Sequence, residues 1–556
     1  MDDENGLNDL YSRLRDVGIS ASDLDVMTPK IVKRAVCKLQ SGKTDVSGKF
    51  KSDCFLHAPD NVFESLALLF KAFFVHEDFT FDVLCCAFMP LLKGVLKNDT
   101  QSSNYRAIAI SSLVLKILDN VILILYGDLL GTDMLQFGYK KNTSGTQCSW
   151  LVLEVVSYFN RNNTTVKSAT LDCSKAFDNC IFSTLFSKVL ARGVPAIIVR
   201  GLLSIYRKQR CWVRWSSNQT VSRQFGILNG TRQGSCLSPC LFSCYLDELL
   251  QELRDSGVGC HVSDVFAGAG CFADDLILLS PSRDALQKQL NICETYAARH
   301  NLVFSTDPDP KKSKSKCIFF HKGREEEPKK VVLCGKPLPW VPQAAHLGHM
   351  LHQSGSQELC CSMARASYIG NSNEILNMFE FATPAQILTA VQTYSCALYG
   401  SNLWDLYGTA ACKLYRSWFT TCKLANNLPP QCHTYIVEHY LSGPLPSLKQ
   451  IVIKRYVQFV QKLFSGENSV IQQVAALAVS TVRSGTGLNV YNIQREFKKD
   501  PLYVNKQEFI LDKTELPENG KETIDLLDNL LNIRSQEVDT DIISELDFLI
   551  LNVCSQ

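Results

Sequence analysis

Two short apolar runs that adjoin aspartates constrain the fold of this chain more than any other feature of its sequence. The segment SATLDCSKAFD places a predicted buried strand directly before Asp172. Further along the chain, GCFADDLILLS predicts a hairpin with Asp274 and Asp275 in its turn and an apolar return strand. An Asp-Asp turn alone is a weak sign of a site, because surface turns carry such pairs routinely. The two segments together predict that three carboxylates meet in one place.

Three converging carboxylates need a counter-charge. They repel one another and shift one another's pKa unless cations neutralise them, and hard oxygen ligands suit Mg²⁺. Two such ions about 4 Å apart can activate a 3′-hydroxyl and stabilise a leaving pyrophosphate. The acidic segments therefore favour a divalent-metal site that acts on phosphates.

The segment LNGTRQGSCLSPCLFSCYLDELL lies between the two acidic segments and predicts a glycine-rich loop that runs into a helix. Ser238 is the predicted N-cap of this helix, and Pro239 is its first residue. Gly230 and Gly234 would let the backbone approach a ligand closely, as a nucleotide or a template strand requires. Gln233 offers that ligand both a donor and an acceptor. The loop is therefore a candidate nucleotide-binding element.

These three segments resemble, in this order, the motifs LDxSKAFD, GxRQGxxLSP and F/Y-A-D-D of the reverse transcriptases of non-LTR (LINE-type) retrotransposons. Upstream, Asn104–Arg106 with Ile108 resembles the N-Y-R-P-I motif, and LQFGYKKNTSGTQ resembles L-Q-F-G-F-x-x-x-x-S-T. Downstream, NLVFSTDPDPKKSKSKCIFF resembles G-L-x-x-N-x-x-K-T/S-K, and AHLGHML resembles the Y/H-L-G primer-grip hairpin. The motifs span roughly residues 30–355, and the helical region beyond them is similar to chicken-repeat-like members. Their shared order makes the resemblance specific.

The resemblance implies catalytic and metal-binding roles for the acidic residues. Asp172 and Asp274 would bind two Mg²⁺ ions and Asp275 would complete the triad, with Mn²⁺ able to replace Mg²⁺. Lys314 would be the general acid that protonates the pyrophosphate. Three other lysines of the same run compete for that role: Lys311, Lys312 and Lys316.

The resemblance also assigns residues to the incoming nucleotide. Arg106 would hold the triphosphate, and Gln233 and Gly234 would line the place where the templating base pairs with the nucleotide. Phe177 would lie under C2′ of the sugar, where its ring would clash with a 2′-hydroxyl. RNA-copying RNA polymerases carry an acid there instead, so Phe177 favours dNTPs. Ala107 replaces the usual proline of the family, which would loosen the loop and raise the apparent KM for dNTP.

The predicted fold class is α+β, a right-hand polymerase with fingers, a palm built on a mixed or antiparallel sheet flanked by helices, and a helical thumb. Four divisions are predicted: residues 1–58 as an N-terminal extension, 59–355 as fingers and palm, 356–499 as a basic helical thumb and C-terminal region, and 500–556 as an acidic tail. Local patterns predict these elements: helices at 29–39 with Thr28 as N-cap, 61–75 and 113–125, a strand at 81–92, and mostly helices over 356–490.

Charge is unevenly distributed along the chain. The whole sequence has a formal net charge of +2, but residues 500–556 hold 13 acidic and 4 basic residues. Residues 400–499 hold 11 basic and 4 acidic residues, which makes a phosphate-backbone partner plausible beside the alternative of a solvated face. The acidic N-terminus and the short apolar runs predict neither a secretory signal nor a membrane helix, so we expect an intracellular protein of the cytoplasm or nucleus.

The predicted function is an RNA-directed DNA polymerase that adds dNTPs to a DNA 3′-end on an RNA template. The expected partners are an RNA template, a DNA primer or nicked target DNA, and dNTPs. Neither an endonuclease domain nor a zinc knuckle is recognisable in the sequence, so we expect either that another protein nicks the target DNA or that this chain is a truncated or separately expressed copy of an element. Two alternatives stay open: a domesticated or inactive nucleic-acid-binding protein with the same fold, and an RNA-copying RNA polymerase, which Phe177 disfavours.

Overall fold

The structure is a computed structural model that describes residues 4–18, 20–48, 50–94, 98, 100–215, 220–232, 234–321, 329–379, 381–434, 437 and 445–498. The predicted acidic tail, residues 500–556, lies outside the described residues. Among the described helices, none is long and apolar enough to cross a membrane.

The described helices are α1 (Glu4–Val17), α2 (Pro29–Val36), α3 (Asp53–Leu56), α4 (Asp60–His76), α5 (Phe81–Leu84), α6 (Leu113–Tyr126), α7 (Gly145–Arg161), α8 (Phe182–Ala191), α9 (Ala196–Lys208), α10 (Ser238–Asp255), α11 (Arg283–Arg299), α12 (Glu358–Met378), α13 (Pro384–Ser395), α14 (Thr409–Ala425), α15 (Leu448–Ser465), α16 (Ser469–Val479) and α17 (Gly485–Lys498). The strands are β1 (Cys85–Leu92), β2 (Tyr105–Ser111), β3 (Val166–Asp172), β4 (Arg210–Val213), β5 (Phe225–Gly226), β6 (His261–Val262), β7 (Val265–Phe266), β8 (Ala269–Phe272), β9 (Asp275–Ser280), β10 (Lys316–Phe320), β11 (Val332–Leu333), β12 (Lys336–Pro337), β13 (Gln343–His346) and β14 (His349–His352).

Local sequence signals account for several helix boundaries. The Thr28 side chain accepts a hydrogen bond from the Ile31 amide at the start of α2, as predicted, although α2 ends three residues earlier than expected. The predicted helices at 61–75 and 113–125 correspond to α4 and α6. The Ser112 hydroxyl caps α6 by accepting from the Leu115 amide. These boundaries follow from side-chain capping that only nearby residues control.

Two local predictions are wrong. The expected strand at 81–92 begins only at Cys85, because the preceding residues form the helical turn α5 and bury Val83 and Leu84 against the helices of the core. Ser238 is the first residue of α10, and Leu237 precedes it as the N-cap without a side-chain hydrogen bond. The hydroxyl that accepts from the Leu237 amide belongs to Ser235.

A four-stranded antiparallel sheet, the central sheet, has the strand order β10-β3-β9-β8. Its strands are buried on both faces, so alternate residues enter two different apolar cores. Leu276 and Leu278 of β9 belong to the core formed with α10 and α11, whereas Ile277 and Leu279 belong to the core formed with α7. The predicted sheet flanked by helices is therefore present.

A second sheet has the strand order β2-β1-β4-β5. β1 pairs with β4 in parallel, and the other two pairings are antiparallel. This sheet leads directly into the helical core, because α6 follows β2 after the single residue Ser112. It carries Arg106 on β2, opposite Leu91 of β1.

Residues beyond 356 are mostly helical, as predicted, and α12–α15 surround a separate apolar core that includes Trp404 and Trp418. A buried polar contact joins this region to α7. The amide and hydroxyl of Thr486 donate to Glu154 Oε1 at 3.0 and 2.5 Å, and the Trp150 indole donates to the Thr486 hydroxyl at 2.8 Å. The C-terminal helices are therefore docked on the same helix that supports the central sheet.

Replacing Gly201 with alanine tests the packing of α9 on α4. Alanine normally stabilises a helix interior, but a Cβ at Gly201 would overlap the Phe74 ring. We expect Gly201→Ala to lower the free energy of unfolding by about 1–3 kcal/mol. Gly370→Ala in α12 is the matched control, since a Cβ there meets open space and should be neutral or stabilising. Urea unfolding measures the free energy of unfolding of both variants. Equal stability of the two would contradict the packing of α9 on α4.

Candidate active site

Asp172 lies at the end of β3, in the middle of the central sheet. Two hydrogen bonds hold its backbone: the Asp172 amide donates to Ser315 Oγ at 3.2 Å, and the Asp172 carbonyl accepts from the Ser305 amide at 2.9 Å. In the antiparallel pairing with β9, Asp172 is directly opposite Asp275. The sheet register therefore brings the first and third predicted carboxylates to one edge.

Asp274 lies in the tight turn between β8 and β9, directly before Asp275. The preceding Ala273 has a left-handed backbone with φ of 59°, which an L-residue adopts only when the surroundings hold it. The buried side chain of Gln136 provides that support, because Oε1 accepts from the Ala273 amide at 3.0 Å and Nε2 donates to the Ala273 carbonyl at 3.4 Å. The predicted hairpin is therefore present and braced, although Asp275 is the first residue of β9 and not, as predicted, part of the turn.

The three carboxylates form a zone of negative charge. Asp274 is half-buried, and burial raises its pKa, with the charge of Asp172 acting in the same direction. Partial burial and the charges of Asp274 and Asp172 raise the pKa of Asp275. Two cations oppose the shift at Asp274, Lys314 and Arg106. The three aspartates therefore carry more negative charge than Lys314 and Arg106 neutralise.

Lys314 is close to the carboxylates, as expected of a residue that acts there. Its Nζ donates to Asp172 Oδ2 at 3.2 Å, and the lysine side chain is 64% exposed. Among the described residues, no three His, Cys, Asp or Glu side chains are arranged as a ready metal cage. The donor chemistry still fits Mg²⁺ or Mn²⁺, because Asp172 pairs with Asp275 across the sheet, Asp274 precedes Asp275 in the chain, and all three offer carboxylate oxygens. The metal-binding role of these residues stays a prediction.

Phe177, the predicted sugar-selecting residue, is half-buried in a short 3-10 turn after β3. Its ring stacks on Phe242 of α10, with ring centroids 4.3 Å apart and planes at 18°. Tyr139 contacts the same ring edge-on at 6.5 Å, and its pKa is raised by burial and by the charge of Asp274. The position of Phe177 is thus set from two sides, beside the acidic cluster.

The segment that contains Gly230 and Gly234 passes close to two parts of the site. A Cβ at Gly230, which has φ of 93°, would lie 2.8 Å from the carbonyl oxygen of Phe177. A Cβ at Gly234, with φ of 117°, would lie 2.5 Å from the carbonyl oxygen of Ala109. Both positions therefore need glycine. Gln233, the predicted partner of the base pair, lies outside the described residues.

Three residues of the site were not predicted from the sequence: Gln136, Tyr139 and Phe242. Gln136 and Tyr139 lie in the segment LQFGYKKN, whose resemblance to a family motif identifies the segment but not the role of each side chain. A polar Gln136 between apolar residues was the one local signal. Phe242 has an ordinary helical spacing, so only its contact with Phe177 reveals its part in the site.

Gln136→Met tests the brace on the catalytic turn. The change keeps side-chain length but leaves the Ala273 amide and carbonyl without their partner, so we expect a loss of about 1–3 kcal/mol in the free energy of unfolding. Amide hydrogen exchange over residues 271–275 should become faster. Gln289→Met is the matched control, because Gln289 is equally buried but bonds Ser280 and Gly268 instead. Equal exchange at the turn in both variants would contradict the brace.

Comparison with known proteins places this geometry in a family. The profile of reverse transcriptases (RNA-dependent DNA polymerases) matches residues 95–349. The Pol polyprotein of the type-2 retrotransposable element R2DM of Drosophila melanogaster is 27% identical over 191 residues, which cover 34% of this chain and 18% of that protein. A putative 115 kDa protein of the type-1 element R1DM of the same organism is 28% identical over 293 residues, covering 51% and 26%.

A telomerase structure from Candida albicans is similar at 12% identity and a TM-score of 0.33, covering 70% of this chain and 66% of that one. The chain spans only 18% and 26% of the two curated relatives, so their complete activities are not carried over. The chicken-repeat-like assignment stays a prediction. The predicted α+β polymerase class is confirmed, and residues 95–349 form a reverse transcriptase domain like those of non-LTR retrotransposons.

Proposed function

We propose that this chain adds dNTPs to a DNA 3′-end on an RNA template, using Mg²⁺ or Mn²⁺. The observation that carries the proposal is the pairing of Asp172 with Asp275 across the central sheet, with Asp274 in the adjoining turn. The proposed partners are an RNA template, a DNA primer or nicked target DNA, and dNTPs. The basic composition of the C-terminal region supports a nucleic-acid partner.

The carboxylates of Asp172, Asp274 and Asp275 would hold two divalent ions. When bound, such ions supply charge neutralisation at the phosphates and a lower pKa for the primer hydroxyl. The negative zone described above has the sign that such ions require. The chain's own contribution is to hold the three carboxylates at fixed separations, through the β3–β9 register and the braced turn.

The cationic residues would orient the triphosphate. Arg106 on β2 is exposed, and its positive charge opposes the rise that burial causes in the pKa of Asp274. Lys314, which pairs with Asp172, would turn to the leaving pyrophosphate and donate the proton from its Nζ. Both assignments come from the family resemblance, and the positive charge near the acids supports them.

Phe177 would select the sugar. Its ring stacks on Phe242 and is held from the side by Tyr139, so it has little room to move away from a 2′-hydroxyl. Gly234 would let the backbone approach the incoming nucleotide, with Gln233 beside it in the sequence. The Phe177 ring would therefore contact a deoxyribose and exclude a ribose by a steric clash with its 2′-hydroxyl.

Asp274→Asn tests the catalytic role of the acids. We expect it to abolish extension of oligo(dT) on poly(rA) with dTTP and Mg²⁺, while salt-sensitive binding of the hybrid persists. Asp264→Asn, at an exposed turn position between β6 and β7, is the control and should extend normally. Extension by Asp274→Asn would remove the triad assignment. A wild-type chain that binds the hybrid without extending it would favour the alternative of a nucleic-acid-binding protein without turnover.

Phe177→Val tests sugar selection. A smaller side chain removes the barrier to the 2′-hydroxyl, so the preference for dTTP over UTP should fall by about 100-fold in kcat/KM. Phe319→Val is the control, because Phe319 lies on β10 at the far edge of the central sheet, beside Lys167. Steady-state kinetics with both nucleotides give the ratio, and an unchanged ratio in Phe177→Val would exclude Phe177 as the selecting residue.

A further inference from the structure

A buried ion pair holds the segment of residues 230–232, 234 and 235, here called the glycine loop. Asp119 of α6 and Arg232 of the loop are 1% and 3% exposed, and Arg232 Nη2 donates to Asp119 Oδ1 at 3.3 Å. The Ser235 hydroxyl donates to the other oxygen, Oδ2, at 2.5 Å. One carboxylate therefore binds the loop on both sides of residues 233 and 234.

Asp119 is the counter-charge of Arg232. The guanidinium also lies over the Tyr206 ring, with Cζ 5.2 Å from the centroid, but Nε and Nη1 have no hydrogen-bond partner among the described residues. Burial raises the pKa of Asp119, and the Arg232 charge and the Ser235 hydrogen bond oppose that rise. Burying two charges costs desolvation that their attraction only partly repays, so stability alone does not account for the pair.

The ion pair connects the glycine loop to the strand that carries Arg106. α6 begins one residue after β2, and Ser112 caps it, so Asp119 and Arg106 belong to one continuous strand-helix unit. The loop meets this unit a second time at β2, where Gly234 leaves no space for a Cβ beside the Ala109 carbonyl. The contacts at Ala109 in β2 and at Asp119 in α6 therefore set the distance between the loop and Arg106.

We propose that Asp119 is a positioning residue for the incoming nucleotide: through Arg232 and Ser235 it holds the glycine loop at a fixed distance from Arg106. This inference rests on the proposed function, since it assigns the loop and Arg106 to dNTP binding. Asp119 itself touches neither substrate nor the acidic cluster. Asp119 would act on the incoming nucleotide through the backbone position of the glycine loop.

The contacts of Asp119 with Arg232 and Ser235 are here called the clamp. Loosening the clamp should affect binding of the nucleotide more than the chemical step. The catalytic carboxylates are held by the central sheet and by Gln136, which do not involve Asp119. A mobile glycine loop would weaken ground-state and transition-state binding of the dNTP alike, which raises KM and leaves kcat nearly unchanged. Simple destabilisation of the fold would instead lower the amount of active protein and leave KM unchanged.

Ser235→Ala is the mild test variant, because it keeps the ion pair while it removes the hydrogen bond to Asp119, together with the one that the Ser235 hydroxyl accepts from the Leu237 amide. In the full chain on poly(rA)/oligo(dT), we expect the KM for dTTP to rise about tenfold, with kcat within about twofold. Asp119→Leu combined with Arg232→Met is the second variant. It replaces the pair by apolar groups without leaving a buried charge alone, and should give the same KM increase in a folded protein.

Asp247→Asn is the matched control, since Asp247 is equally buried and pairs with Arg192 at 2.7 Å, far along α10 from the loop. It should lower thermal stability without changing the KM for dTTP. A normal KM in both Ser235→Ala and the double variant would overturn the inference, and so would an equal KM increase in Asp247→Asn.

Hydrogen exchange of the free chain gives a readout that does not depend on turnover. The amides of Gly230, Thr231 and Ser235, which donate to backbone carbonyls and not to the removed hydroxyl, should exchange faster in Ser235→Ala and in the double variant than in the wild type or Asp247→Asn. Unchanged exchange there would overturn the clamp. Loss of the proposed function is distinguishable, because a wild-type chain that fails to extend the primer while its exchange responds to these variants refutes polymerisation and not the clamp.

Discussion

The antiparallel register between β3 and β9 is the constraint on which the rest of the candidate site depends. It places Asp172 opposite Asp275, and every proposed role of the acids assumes that separation. Hydrophobic patterning alone does not specify this register, since β9 is apolar on both faces and a slip by one residue would still bury apolar side chains. Polar contacts at the ends of the strands supply the specificity: Ser315 binds the Asp172 amide, and Gln136 binds both backbone groups of Ala273.

The acidic edge is electrostatically unfavourable in isolation. Burial and mutual repulsion raise the pKa of Asp274 and Asp275, so the fold holds groups together that would separate in a free chain. Lys314, in the loop before β10, and Arg106, on β2, carry positive charges that oppose the rise in the pKa of Asp274. Phosphate chemistry uses charges of both signs in this way.

The glycine loop lies where three parts of the molecule meet. It contacts the turn that carries Phe177, the second sheet at Ala109, and α6 at Asp119. Its two positive-φ glycines allow these approaches, and the buried Arg232 anchors it. In the proposed function, sugar selection, triphosphate binding and loop position would therefore share one set of contacts, so a change in one of them is expected to affect the others.

Much of this architecture could be predicted from local sequence, and the errors are instructive. The strand before Asp172, the Asp274–Asp275 hairpin and the helices α4 and α6 follow from periodicity and capping over a few residues. The first four residues of the strand predicted at 81–92 form the helical turn α5 instead, because burial against neighbouring helices outweighed the local apolar pattern. The cap predicted at Ser238 failed, since an upstream hydroxyl already served the Leu237 amide.

The amino-acid sequence by itself identified the residues that are proposed to carry the chemistry: the three aspartates with their adjoining apolar strands, and the glycines of the loop. The tertiary structure alone decided how they are held. Gln136 braces Ala273 from 137 residues away, Phe242 supports Phe177, and Asp119 reaches Arg232 across 113 residues. Such contacts depend on how distant segments pack, and no local periodicity or capping rule encodes a partner so far along the chain.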